Sequence, residues 1–163
     1  MTTTPQPGAS GAAMALLLNG EIETLTGLLD ILQREYSALK TNDLAAIEDA
    51  ITHKQQQLAQ VQACEKRRHA LLQAAGFSLD KQGMSNYLRN AAHAPSVQPW
   101  QLLLKLSSQC QKQNQINGGL VDISRRHAQH VVAILRGQTP EPDLYGPAGE
   151  TRSAGTTQTL ATA

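Results

Sequence analysis

Seven apolar side chains, Leu18, Ile22, Leu25, Leu29, Leu32, Tyr36 and Leu39, follow one another at intervals of 4, 3, 4, 3, 4 and 3. That spacing lines them along one seam of an α-helix for three heptads, and such a seam is buried by another helix crossing at a shallow angle. The pattern predicts a helix over 12–40. With Ile22 at heptad position a, Leu28 falls at g and Leu17 and Ile31 at c, which widens the apolar arc to about 160°. One partner helix cannot cover so wide an arc. The helix therefore carries a second apolar surface, for a third helix or for another molecule.

The seam stops at Thr41-Asn42-Asp43, where Asn42 or Asp43 is a good N-cap for a second helix over 43–75. Gly76 is its natural stop. Its own seam reads Leu44, Ile47, Ile51, Lys54, Leu58, Val61, Glu65, Arg68 and Leu72. A connection this short forces an antiparallel hairpin. Facing residues then sum to about 83, by counting outward from the turn. Leu39 is expected against Leu44, Tyr36 against Ile47, Leu32 against Ile51, Leu25 against Leu58 and Ile22 against Val61. Lys54 is expected near Leu29 with its stem along the seam and its ammonium in water. Beyond Val61 the seam turns polar, so a loose distal end is expected.

Residues 76–98 read as a connection with a short helix near 84–92 carrying Tyr87 and Leu88. A third long helix follows over 97–136, with Ser96 as N-cap and Pro99 in the first turn, where a missing N–H does no harm. Only five aromatic residues occur, Phe77, Trp100, Tyr36, Tyr87 and Tyr145. Aromatics supply much of the area of a thick core. The expected fold is all-α: an antiparallel helical hairpin plus a third long helix in an elongated, coiled-coil-like three-helix bundle. Its termini, an arm at 1–11 and a Pro/Gly/Thr/Ser-rich tail at 137–163, are expected to be disordered. Within the tail Leu144-Tyr145 is the one apolar pair of any size.

Several function classes are excluded. Net charge is +1 with both signs mixed along the chain, which speaks against nucleic acid as a partner. The densest basic run, Lys66-Arg67-Arg68-His69, points in nearly every direction on a helix and reads as a solvated face. No basic residue precedes the apolar run at 12–18, as a secretory signal requires. No run approaches the ~18 apolar residues of a membrane span. A cytosolic protein without membrane insertion is expected. Cys64 and Cys110 lie far apart without companion ligands and read as reduced, partly buried thiols. His127 and His130 share a helix face but lack complementary ligands, so a surface pair is expected rather than a metal site. No Ser/His/Asp or Cys/His grouping has a scaffold. Neither an enzyme nor a cofactor is expected.

The middle of the third helix, QKQNQINGGLVD, holds two adjacent glycines, each costing a helix interior roughly 1 kcal/mol relative to Ala. Gly118-Gly119 can end one helix and begin another. Alternatively the helix continues, and the missing side chains let another backbone come close while Asn114 and Asn117 bond polar groups across the contact. The 3–4 spacing of the apolar residues after Leu120 favours continuity. A polar layer amid apolar seams is also a means of fixing register.

Several stretches together are similar to the FlgN family of bacterial flagellar export chaperones. They are the heptad helix, the Asn-Asp turn, "AAIEDAITHKQQQLAQV", the Gly-Phe connection, the Trp-led last helix with "NQINGGL", and "LYGPAGET" beyond it. The resemblance covers about residues 14–151. Its particular marks are Lys54, Asn114 and Asn117 with Gly118, and Tyr145-Gly146 with Gly149. It implies a cytosolic helical chaperone that binds hook–filament junction proteins and holds them unassembled until the type III export gate takes them. Such clients present terminal amphipathic helices, which a chaperone covers helix-in-groove. The implied contact surface is Leu17, Leu28 and Ile31 on the first helix and Asn114, Asn117, Gly118, Gly119 and Leu120 on the last. In the tail it is Leu144 and Tyr145, folding onto the client and released at the gate. The competing reading is a structural coiled-coil adaptor that oligomerises without a client. Such a scaffold keeps its heptads clean, whereas these decay at Glu65 and Arg68 and again at 111–119. That decay favours a monomer or weak homodimer with an adaptable surface.

Overall fold

The structure is a computed structural model. It describes the backbone of residues 7–137 and the side chains of residues 11–137. Four α-helices follow in order: α1 (Pro7–Thr41), α2 (Leu44–Ala74), α3 (Lys81–Leu88) and α4 (Val97–Leu135), with a 3-10 segment, Ala91–Ser96, between the last two. The described residues contain no strand. The chain divides into two compact units, Met1–Asp122 and Ile123–Ala163. The first holds the hairpin, α3 and α4 as far as Asp122. The second holds the remaining turns of α4.

α1 begins at Pro7 rather than beyond an arm ending at residue 11. Proline is at home there, because the first helical N–H has no partner within the helix and φ is already set. α1 ends with Asn42 in the left-handed region, φ 55°. The Asp43 and Asn42 N–H groups donate back to Ala38 O and Leu39 O, which satisfies the last carbonyls. Asp43 then caps α2 through Oδ1, which accepts from Ala46 N at 3.1 Å. Gly76, φ 79°, closes α2 in the same manner, with Phe77 N donating to Leu72 O. α3 starts earlier than the sequence indicates because Asp80 is its N-cap, accepting from Gly83 N at 2.7 Å and from Ser78 Oγ at 2.8 Å. These donors hold the Asp80 carboxyl below its ordinary value.

Two polar layers set the register of the first unit. In one, Arg68 of α2 donates through Nε to Glu21 Oε2 of α1 at 2.9 Å, and its guanidinium lies 5.3 Å from the Trp100 ring centroid of α4. In the other, Lys54 Nζ donates to Glu35 Oε1 at 2.5 Å. Asn117 of α4 donates to Glu35 Oε2 and to Leu32 O, each at 2.8 Å. Glu21 and Glu35 stand two heptads apart on α1, as Arg68 and Lys54 do on α2. Midway between them, Leu28 belongs to the apolar core and Val61, half-buried, packs against it. A slip of one heptad would set each carboxylate against an apolar side chain, at the cost of a buried, unpaired charge.

These layers overturn three expectations. Lys54 does not reach water beside Leu29; it is spent on Glu35. Arg68 is not part of a solvated face, being 7% exposed. The distal end of the hairpin is not loose there, since the Arg68 layer and Leu72 are buried in it. The expected α2 seam is also rotated. Ala50, Val61, Cys64, Arg68 and Leu72 are buried or half-buried, while Leu44, Ile51 and Leu58 are 70%, 40% and 43% exposed. On α1, Leu18, Leu25 and Leu32 are buried as expected, and Ile22, Leu29, Tyr36 and Leu39 are half-buried flanks. Met14, Glu21, Leu28 and Glu35, on the neighbouring line, are the more enclosed.

The start of α1 is pinned by close approach. A Cβ on Gly11 would overlap the Ala92 carbonyl oxygen. Ser96, expected to cap the last helix, instead donates through Oγ to Gly11 O at 2.9 Å. Beside it Tyr87 stacks on His93 with centroids 3.7 Å apart and meets Phe77 edge-on. His93 Nδ1 lies 2.7 Å from Tyr87 O, which places the ring proton on that nitrogen. Contrary to the sequence reading, one stretch, Gly11–Thr41, is long and apolar enough to cross a membrane by those two measures. The core helix of a bundle passes the same test, and α1 supplies Met14, Leu18, Leu25, Leu28 and Leu32 to the core.

Two stability predictions follow from this packing. Arg68→Ala leaves Glu21 buried without a partner and should cost about 3–5 kcal/mol in urea unfolding, whereas Glu21→Leu/Arg68→Leu should be near neutral or stabilising. Because the folded Asp80 carboxyl lies below its ordinary 3.8, its contribution is present above that value and fades as pH falls through the lower, folded one. The Tm difference between the parent and Asp80→Ala should therefore be full near about pH 6 and shrink toward about pH 2.

Candidate functional site

α2 and α4 flank α1 without closing over it. The opening between them is a groove of about 240 Å³. Leu28 and Leu32 of α1 form its floor, Lys54 and Leu58 one wall, and Cys110, Gln111 and Asn114 the other. Leu44 and Ile51 stand two heptads and one heptad before Leu58, so they continue the α2 wall toward the hairpin turn on the same face. Gln111, Asn114 and Gly118 are spaced i, i+3 and i+7 and so share one side of α4. The groove thus has an apolar wall, an amide-bearing wall and an apolar floor.

Its polar groups are mostly engaged. Lys54 is held by Glu35. Cys110 Sγ donates to Leu25 O at 3.5 Å, and burial pushes its thiol above the ordinary value, so it meets the groove as a neutral, weakly polar group. No cluster of three or more metal-ligating side chains occurs among the described residues. What the arrangement offers is apolar burial along one wall and amide hydrogen bonding along the other. A larger depression, about 560 Å³, lies between α1 and α2 and includes Ile31, Asp30, Arg34, Asp49 and His53. Its Asp30–Arg34 and Asp49–His53 pairs make it a polar surface furrow.

The residues singled out from sequence are dispersed. Leu28 is buried in the groove floor, and Asn114 is in its wall. Ile31 is buried by the polar furrow, and Leu17 and Leu120 are half-buried. Asn117, 2% exposed, is taken up by the fold, with its Oδ1 accepting from Gln113 Nε2. Gly118 and Gly119 lie inside a continuous α4, and a Cβ on either would meet nothing within 4 Å. No backbone among the described residues uses the space they leave. Leu144 and Tyr145 lie outside the described residues. Leu44, Ile51 and Leu58 were legible as seam but not as an open wall, and Cys110 and Gln111 were missed. The overlooked signal was the matched spacing of Glu21/Glu35 with Arg68/Lys54, which turns α2 so that this stripe faces outward.

The FlgN family profile, described as FlgN protein, matches residues 11–153. A crystal structure assigned as a flagella synthesis protein FlgN from Pseudomonas aeruginosa is 26% identical to this chain. The match covers 74% of this chain and 90% of that one, with a TM-score of 0.61. Comparison with curated proteins yields no match.

Neighbouring substitutions on α4 should act in opposite directions. Asn117→Ala removes donors to Glu35 and Leu32 O in a buried layer and should destabilise by about 1–3 kcal/mol. Gly118→Ala/Gly119→Ala, with open space at both positions, should stabilise by roughly 1–2 kcal/mol in the same unfolding assay.

Proposed function

Because the chain belongs to the FlgN family, we propose that it is a cytosolic flagellar export chaperone. Its groove would receive a terminal amphipathic helix of a hook–filament junction protein, keep that helix from assembling early, and yield it at the type III export gate. The observation that carries this reading is the exposed heptad line Leu44, Ile51 and Leu58 beside a groove floored by Leu28 and Leu32. A three-helix arrangement with one open apolar furrow is completed by a fourth helix, which buries its apolar face there. Gly118 would let the client backbone approach α4, and the Asn114 and Gln111 amides would bond its polar flank.

The magnitudes suit a carrier. Full burial of an exposed Leu or Ile side chain is worth about 1.5–3 kcal/mol. Three partly exposed ones with matching client residues therefore supply roughly 5–8 kcal/mol before association costs. A micromolar complex needs about 8 kcal/mol net, so the groove alone gives weak, reversible binding. On this reading Leu144 and Tyr145 add a second contact with the client, one that the export gate removes by competition. The protein would act as a monomer or weak homodimer.

Calorimetric titration with C-terminal helical segments of the same organism's junction proteins tests this. One-to-one binding near micromolar is expected. Leu58→Asp or Ile51→Asp should weaken it about tenfold or more with circular dichroism unchanged, since both side chains are exposed. A chain ending at Arg136 should bind less tightly. Full affinity in the Leu58→Asp and Ile51→Asp proteins would remove the groove from the account.

A further inference from the structure

The groove holds one polar group that a helix lying in it must answer. Lys54 lines it with 22% of its side chain accessible. An ammonium carries three N–H donors. Among the described residues Lys54 makes one side-chain hydrogen bond, to Glu35 Oε1, so its other donors depend on water that enters through the groove. Lys54 is not free to swing out of the way. Glu35 has only 7% of its side chain accessible, and departure of the ammonium would strand that carboxylate with Asn117 as its one partner. Across the groove, Gln111 and Asn114 hold exposed carboxamides in the α4 wall.

We propose that the client helix carries, within its apolar stripe, one Asn or Gln whose carboxamide oxygen accepts from Lys54. This rests on the groove being the client site, and it names what that site selects. A helix laid over Leu28, Leu32 and Leu58 excludes the water on Lys54. A leucine opposite the ammonium would leave charged donors buried without an acceptor, which costs more than the loss of a neutral hydrogen bond. A carboxylate would satisfy the donors but would set a second negative charge beside Glu35, whose charge Lys54 already balances. A carboxamide supplies the oxygen without the charge, and its NH2 group has the side-chain oxygens of Gln111 and Asn114 within the same groove. Apolar contacts alone let a helix slide along the groove. One buried amide fixes its register, as Asn at an a position does in coiled coils. The same ammonium turns away amphipathic helices whose stripe is wholly apolar, so specificity comes from a charge that the wrong partner leaves unanswered.

The test is calorimetric titration of the full chain with the C-terminal helical segment of a junction protein from the same organism. The same segment is also titrated with Leu, and with Glu, in place of the Asn or Gln in its apolar stripe. The parent protein should bind both altered segments about tenfold or more weakly. Lys54→Met/Glu35→Gln removes the charge pair but keeps an acceptor for Asn117, and circular dichroism checks its fold. In that double variant the Leu segment should bind as tightly as the unaltered one, or more tightly, which a merely structural role of Lys54 would not produce. An equal loss in parent and variant, or no loss in the parent, overturns the proposal and leaves the groove in place. So does a segment that binds without any Asn or Gln in its stripe. Absence of binding by every segment to the parent overturns the groove reading and this proposal with it. The segment series needs only the parent protein, so an unfolded variant does not shelter the proposal.

Discussion

A carboxylate buried on α1 must be answered by a cation, and α1 carries two, Glu21 and Glu35, at 4% and 5% exposure. Each lies where three helices meet. Arg68 and Lys54 answer from α2, while Trp100 and Asn117 come from α4 to cover the first cation and bond the second carboxylate. Apolar seams tolerate sliding by a heptad because one leucine resembles the next. A buried ion pair does not, since displacing either member strands a charge in low dielectric. With a thin, Leu-rich core, these two layers decide which of several near-equivalent registers is adopted, as polar positions do in coiled coils.

The same layers account for the open groove. To bring Arg68 and Lys54 onto the α1 carboxylates, α2 turns its Ala50, Val61 and Cys64 side inward. Gln57 donates to Thr24 O across the same interface and fills the space beside Gly27. The line Leu44, Ile51 and Leu58 is thereby left outside the hairpin contact. α4 is held against α1 by Asn117 on Leu32 O and Cys110 on Leu25 O, which fixes it on one side of the floor residues Leu28 and Leu32. The apolar wall is exposed as a consequence of satisfying the buried charges.

This explains what the sequence disclosed. Helix number, the antiparallel hairpin and the continuity of α4 through Gly118-Gly119 were legible, because apolar spacing and turn chemistry act locally. The rotation of α2 was not. Its a/d reading treated Lys54 and Arg68 as lapses in an apolar seam, when they are partners of two glutamates that the α1 seam had left out of account. Pairing between helices is a tertiary fact, and single-helix periodicity ranks Leu58 above Arg68 for burial regardless of what stands opposite. Likewise the sequence reads Ser96 as a cap and leaves Asn117 between a contact surface and a register-fixing polar layer, of which the structure shows the latter; the partner of each lies 85 positions away in the chain.

The two glycines within the continuous last helix follow from the same division of labour. A helix that completes a bundle with one side and leaves the other side open divides its side chains by position. Asn117 faces inward and is fully bonded. One residue further on, Gly118 shares its side with Gln111 and Asn114 and presents bare backbone. Replacing that glycine removes a local helix penalty and at the same time narrows the approach to the groove. Stability and accessibility are therefore opposed at Gly118: the open side of α4 comes with a weaker helix at that position.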